Sequence, residues 1–260
     1  MTGIVRRGLV GAALACLLLQ TAHAAESCPE TVVAAVAKSA GVLKKGNESQ
    51  VVTAACKLWP YDGKTLLSAI VFSTNDEEVK QLVVAMLDAR SGRIVGSYAR
   101  EVGEDASVQF GEHSLSIDTA PYQLAKDVRA FGVRFRSAAR GASCADGAWE
   151  DELTLFVRTA DSLQPVLRGL PMSHWEAVKG CLGQSDGLVF DKAELSLGLA
   201  PTSSHGFADL TVTARITRES AADDAIGKPK IERTTLRYDG NTYQGGKNPP
   251  WWLSFFPLGD

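Results

Sequence analysis

The stretch Pro201-Thr-Ser-Ser-His-Gly-Phe-Ala-Asp-Leu210 gathers the residue types of an acyl-transfer triad. Ser203 could supply a nucleophile, His205 a base and Asp209 the carboxylate that orients it. The spacing argues against that assembly. In an extended chain His205 and Asp209 share a face but lie about 13 Å apart at ~3.3 Å per residue, far beyond hydrogen-bond reach. No GxSxG elbow occurs anywhere in the chain. The same residues suit a polar turn before a strand, with His205-Gly206 reversing the chain and Phe207 and Leu210 filling the core. That turn is the expectation here. Ser203, His205 and Asp209 remain the catalytic candidates should the fold bring them together.

Other chemistry is less well supplied. His113 and His174 form no HxH, HxxH or HExxH pattern, and no CxxC occurs. The sequence therefore implies no metal site and no cofactor. Acids cluster at Asp76-Glu77-Glu78, at Glu101/Glu104/Asp105 and at Glu150-Asp151-Glu152. Paired carboxylates can hydrolyse glycosides or bind calcium. Each cluster falls at an expected turn, however, where solvated acids are ordinary, and no DxDxDG spacing is present. Arg134 and Arg136, with Arg129 and Arg140 nearby, make a basic stripe on an expected strand and are the anion-binding candidates. Trp149, in the Gly/Asp-rich stretch RGASCADGAWED, is the aromatic candidate for a ligand or for the cleft of a partner.

The residues outside these clusters say where the chain resides. Arg6 and Arg7, an apolar run from Leu9 to Leu19 and the small-x-small pattern Ala22-His23-Ala24 read as a secretory signal peptide over residues 1–24. The run is shorter than the ~20 residues of a membrane helix, and no second long apolar segment follows, so no membrane span is expected in the mature chain. The expected location is the periplasm or the secreted space. The formal charge is −3 over 260 residues, and −5 without Arg6 and Arg7. The longest basic cluster is Lys44-Lys45, which excludes an extended nucleic-acid footprint. Cys16 leaves with the leader, and Cys28, Cys56, Cys144 and Cys181 remain. An even number in an exported chain implies two disulfides, with three possible connectivities. The sequence-neighbour pairing Cys28–Cys56 and Cys144–Cys181 is the one expected.

Elements follow from periodicity and turn chemistry. Residues 27–43 carry Val32, Val33, Val36 and Leu43 at roughly helical spacing, with Ser27 as cap, Pro29 in the first turn and an end near Gly41. Beyond it, about a dozen short apolar or alternating runs are punctuated by Asp62-Gly63, Ser91-Gly92 and Asp239-Gly240. Gly132 is expected to mark a bulge, and PMSHWEAV a short turn. The fold expected is mainly β, an antiparallel multi-stranded sandwich or propeller-like array with one short N-terminal helix. It occupies residues 25–260, with a division into lobes 25–180 and 181–260 left open. The aromatic tail Trp251-Trp252-Leu-Ser-Phe255-Phe256 presents no polar face in either strand register and is expected to clasp the core.

Residues 205–244 resemble a module of exported bacterial proteins in which a GxxDL strand, here Gly206 to Leu210, precedes a YDGxxY hairpin, here Tyr238 to Tyr243. The resemblance implies a β-meander. In it Asp209 and Asp239-Gly240 hold turns, and Tyr238 and Tyr243 pack across the hairpin. It implies no catalytic residue. The sequence thus reads as an exported, non-enzymatic binding or envelope-associated accessory protein whose partner is a protein or envelope ligand. The alternatives are a hydrolase of cell-envelope polymers built on His205, or an inhibitor of a foreign hydrolase that presents the loop around Trp149.

Overall fold

The order of apolar residues in the first half of the chain dictates which surfaces must be covered. The computed structural model describes residues 28–42, 50–183, 187–220 and 226–253. The expected leader, Ser27, Leu43, Phe255 and Phe256 lie outside the described residues. The helix α1 (Glu30–Ser39) begins at Pro29, whose carbonyl accepts the Val32 and Val33 amides; no side chain caps it. Glu30 in its first turn and Lys38 in its last suit the helix dipole. Gly41, at φ 69°, ends it.

The first eight strands are β1 (Val51–Leu58), β2 (Thr65–Ser73), β3 (Val79–Asp88), β4 (Ile94–Gly103), β5 (Leu115–Asp118), β6 (Gln123–Ala125), β7 (Val128–Arg129) and β8 (Phe131–Phe135). The next four are β9 (Gly147–Glu150), β10 (Glu152–Thr159), β11 (Ser162–Leu170) and β12 (Ser173–Lys179). The last are β13 (Val189–Ser204), β14 (Phe207–Ser220), β15 (Lys230–Tyr238) and β16 (Tyr243–Gln244). The fold is mainly β and antiparallel, as the alternation implied. PMSHWEAV is not a turn but the start of β12. Within it His174 pairs across to Trp149.

An eight-stranded sheet runs β1-β2-β3-β4-β11-β10-β8-β5, a six-stranded one β16-β15-β14-β13-β12-β9, and β6 and β7 pair as a small ribbon. The larger sheet curls until β5 returns beside β1, where the Thr53 hydroxyl donates to the Glu112 carbonyl. Side-chain alternation then gives each strand two jobs. Ala69 and Val71 of β2, with Leu82 and Val84 of β3, face the interior of the curl and meet Phe131 and Phe156. Ile70, Phe72, Val83 and Ala85 face outward and are covered by Val32, Val36 and Ala37 of α1. Beyond β10 and β11 the outer face is covered by the second sheet. Leu153, Leu155 and Val166 pack there on Leu210, Val212 and Leu236.

The turns form where the sequence placed them. Asp62 Oδ1 accepts the Lys64 and Thr65 amides at 2.9 and 3.0 Å, and Asp88 Oδ1 accepts the Ser91 amide at 2.8 Å. Cys28 joins Cys56 and Cys144 joins Cys181, with Cα separations of 4.9 and 5.0 Å. The first ties α1 to β1 and the second ties the approach to β9 to the end of β12. The tail folds over the second sheet in a turn rather than a strand. Trp252 and Leu253 are buried in the core, and the Trp252 indole donates to Glu232 at 2.7 Å.

Gly132 marks no bulge: β8 keeps register through it with both β5 and β10. It is a close approach instead. A Cβ there would stand 2.6 Å from Leu153 Cδ1 and 3.0 Å from Asp118 Cβ, both on packed neighbours. Gly132→Ala is therefore expected to cost about 1–3 kcal/mol of stability, read as a lower urea midpoint at unchanged m. Gly198→Ala, which meets nothing within 4 Å, stays within ~0.5 kcal/mol. Trp252→Ala is expected to cost about 3–5 kcal/mol in the same denaturation.

Candidate functional site

The triad candidates do not converge. His205 and Gly206, at φ 48° and 87°, form the two-residue turn of the β13–β14 hairpin. The His205 ring is exposed, and its Nδ1 lies 2.8 Å from the Tyr238 carbonyl rather than near a carboxylate. Asp209 is buried within β14 rather than at a turn, and accepts the Thr202 hydroxyl at 2.7 Å. The Thr202 and Ser204 hydroxyls hold its pKa below the ordinary carboxylate value. Ser203 is exposed and paired with Ala208. Tyr238 and Tyr243 do pack across their hairpin, with centroids 5.3 Å apart.

Arg134 and Arg136 are already engaged. Arg134 donates from Nε and Nη2 to the single oxygen Asp118 Oδ2 at 3.1 and 3.0 Å, whereas Arg136 pairs with both oxygens of Asp151 at 3.1 and 3.0 Å. Arg129 lies over the Tyr61 ring at 4.5 Å. Each of these pairs occupies the Nε–Nη2 edge of its guanidinium, the edge that a carboxylate or phosphate ligand would otherwise take. Among the described residues no group of three His, Cys, Asp or Glu gathers to hold a metal. His174 is buried, and burial lowers its pKa; its Nε2 stands 3.7 Å from Glu176, beyond hydrogen-bond reach. His113 is exposed.

What does converge is a cavity in the larger sheet, at the seam between β4 and β11. These two strands run parallel and meet at a single pairing, Ser97 with Ser162. Gly96 lies against this contact, with Leu163 and the Ser162 carbonyl at ordinary packing distance, 3.5 Å, from where its Cβ would stand. Beyond it the strands share no further pairing. Pro165 has no N–H to donate to a ladder, and the β10–β11 register shifts twice, between Leu153 and Leu155 and between Leu155 and Phe156. Gly169, at φ 57°, turns its amide to the Thr154 hydroxyl at 3.2 Å.

The opening is lined by Tyr98 and Arg100 from β4, Glu152, Thr154 and Phe156 from β10, and Pro165, Arg168 and Gly169 from β11. Leu82, Leu115, Val133 and Phe135 form its apolar floor. The free space, open mouth included, is about 460 Å³. The enclosed part is small: about 30 Å³ is open to the centres of water-sized molecules. Since one water needs ~10–15 Å³ on that measure, it admits two waters or the end group of a ligand.

Glu152 is the residue that sequence reading missed. Alternation puts residues 152, 154 and 156 of β10 on the cavity side and residues 153, 155 and 157 in the core between the sheets. Asp151 adopts φ 55° between β9 and β10, held by Arg136, and so delivers Glu152 to the start of β10 opposite Phe135. Glu152 is only 5% exposed. Its Oε1 accepts the Trp149 indole N–H at 2.6 Å, and Oε2 is buried without a hydrogen-bond partner. Arg100 Nη2, on the same cavity wall, is also buried and unpartnered. Burial pushes the Glu152 pKa up to about 7, against the opposing pull of the Trp149 hydrogen bond and the Arg100 charge. Trp149 therefore belongs to β9 and to this site, not to a projecting loop.

No protein family, no curated protein and no solved structure matches the chain.

The raised Glu152 pKa fixes a sign. Folded Glu152 holds its proton between the ordinary value of 4.5 and about 7, whereas the unfolded chain releases it. Its stabilisation is therefore complete below pH 4.5 and is lost as pH rises through 7. The loss is on the order of 3 kcal/mol. His174, with a lowered pKa, acts in the opposite sense, losing stability as pH falls below 6.5. Urea unfolding of wild type and Glu152→Gln across that range separates the two. The difference between them should grow in favour of the Gln variant as pH rises from 4.5 to above 7.

Proposed function

We propose that the protein is an exported, non-enzymatic binding protein that receives the polar end of a small ligand in the gap between β4 and β11. One observation carries this reading. A buried acceptor or donor, Glu152 Oε2, and a buried donor, Arg100 Nη2, line the same opening without partners. Leaving such groups unsatisfied costs about 1–3 kcal/mol each, a cost that a bound ligand or bound water removes. An apolar cavity with a few convergent polar groups, one of them with a perturbed pKa, is the common form of a small-molecule site.

Export is supported by the leader-like residues 1–24 and by two disulfides, which persist in oxidising compartments. Among the described residues no helix is long and apolar enough to cross a membrane. A carboxylate poised near pH 7 is also what a general acid needs. Glycoside hydrolysis works with two carboxylates, however, and Glu152 is the one acid among the described residues that line the opening. That favours binding over the hydrolase alternative.

The test is differential scanning of the oxidised protein with small amphiphiles of varied head group. A ligand at 100 times its Kd should raise stability by about 2.7 kcal/mol. Thr154→Phe, which fills the opening, should abolish the shift while the unliganded variant still melts cooperatively. Equal shifts in wild type and Thr154→Phe, or none with any head group, would contradict the assignment.

A further inference from the structure

The pairing pattern around Glu152 says which of its oxygens carries the proton, and that selects a ligand. Oε1 accepts from the Trp149 indole, which can only donate. The carbonyl oxygen of a carboxylic acid is the stronger acceptor, so in the protonated acid Oε1 is the carbonyl and the hydroxyl falls on Oε2, the oxygen that has no partner. The other unpartnered group of the wall, Arg100 Nη2, is a donor in every state. Two buried donors thus line one small opening, and no hydrogen bond or ion pair joins the two side chains among the described residues. Resting on the binding reading above, we propose that the opening takes a carboxylate-terminated apolar ligand, with Arg100 Nη2 and Glu152 Oε2 each donating to one carboxylate oxygen.

Charge and size agree with this assignment. The groups that face Glu152 are Arg100 and Tyr98 from β4, Arg168 from β11 and the Trp149 indole from β9. From β3, β5 and β8 come Leu82, Leu115, Val133 and Phe135, which carry no charge. The nearby acids Glu150 and Asp151 both lie against Arg136, and Asp118 holds Arg134. With Glu152 neutral, the wall carries two guanidinium charges and no anion. The space fits an end group of about three heavy atoms, and the apolar floor suits the carbon chain next to it. Carboxylate binding and protonation of Glu152 then reinforce each other, since ionised Glu152 would oppose the incoming anion.

The test uses hexanoate, hexanamide and hexylammonium as probes of one chain length, titrated calorimetrically into the oxidised protein. Hexanoate should bind best below pH 7, with almost no linked proton, and lose affinity about tenfold per pH unit well above it, where uptake approaches one proton per ligand. The proton count is read by repeating the titration in buffers of different ionisation heat. Glu152→Gln should keep hexanoate binding and flatten its pH dependence. Arg100→Gln should weaken hexanoate at least tenfold and leave hexanamide within about twofold. Because the pH profile and proton count come from the wild-type protein, the inference stays testable even if either variant fails to fold. Hexylammonium or hexanamide binding more tightly than hexanoate at every pH would overturn the carboxylate assignment while leaving the binding site standing. Hexanoate binding well above pH 7 without proton uptake would overturn the shared-donor geometry. Failure of all three probes, together with no response to any amphiphile in the scanning experiment, would overturn the binding reading and this inference together.

Discussion

A strand covered on both faces has no side on which a charge can rest, and β10 is such a strand. Leu153 and Leu155 are sealed between the two sheets, and Phe156 is sealed inside the curl. Glu152 opens the strand on the interior side, and burial there costs the charged form more than its single indole hydrogen bond returns. The chain accommodates this carboxyl by leaving a gap. At the seam where β4 and β11 part after one pairing, the wall is loose enough to admit a polar group beside Glu152. The opening and the buried acid are two consequences of the same constraint.

The surroundings hold that arrangement in place. Asp151 and Arg136 fix the backbone that presents Glu152, and the β9–β12 pairing fixes Trp149. The Cys144–Cys181 bridge ties together the approach to β9 and the end of β12, so it braces the indole that orients the acid. On the far side of β10 the second sheet is closed by the tail, with Trp252 anchored on Glu232. The His174 ring stands 5.4 Å from Trp251 and links that clasp to the strand that carries Trp149.

Much of the fold was legible because it rests on local chemistry. Asp62-Gly63, Ser91-Gly92 and His205-Gly206 turn the chain because of the φ values and side-chain acceptors that those residues supply. The neighbour pairing of the cysteines followed from short separations of 28 and 37 residues. The site was not legible, because long-range pairing makes it. A run of three acids at residues 150–152 reads as a solvated turn, and only the left-handed Asp151 divides it into an exposed Glu150 and a buried Glu152. Arg134 and Arg136 looked available because their acid partners lie 16 and 15 residues away in sequence. The contact of β4 with β11, which sets the cavity, joins segments with no pattern in common. One signal was present: Glu152, Thr154 and Phe156 continue the alternation of β10 without a break, so the acid had to share a face with Phe156.

The most direct test of the account is the protonation of Glu152 itself, followed in the ligand-free oxidised protein by carbon-13 NMR of its side-chain carboxyl as pH is raised. A midpoint near 7 is the result that the buried, singly hydrogen-bonded carboxyl requires. A midpoint at the ordinary glutamate value of 4.5 would mean that the carboxyl is solvated. The cavity with its two unpartnered donors would then not be the site.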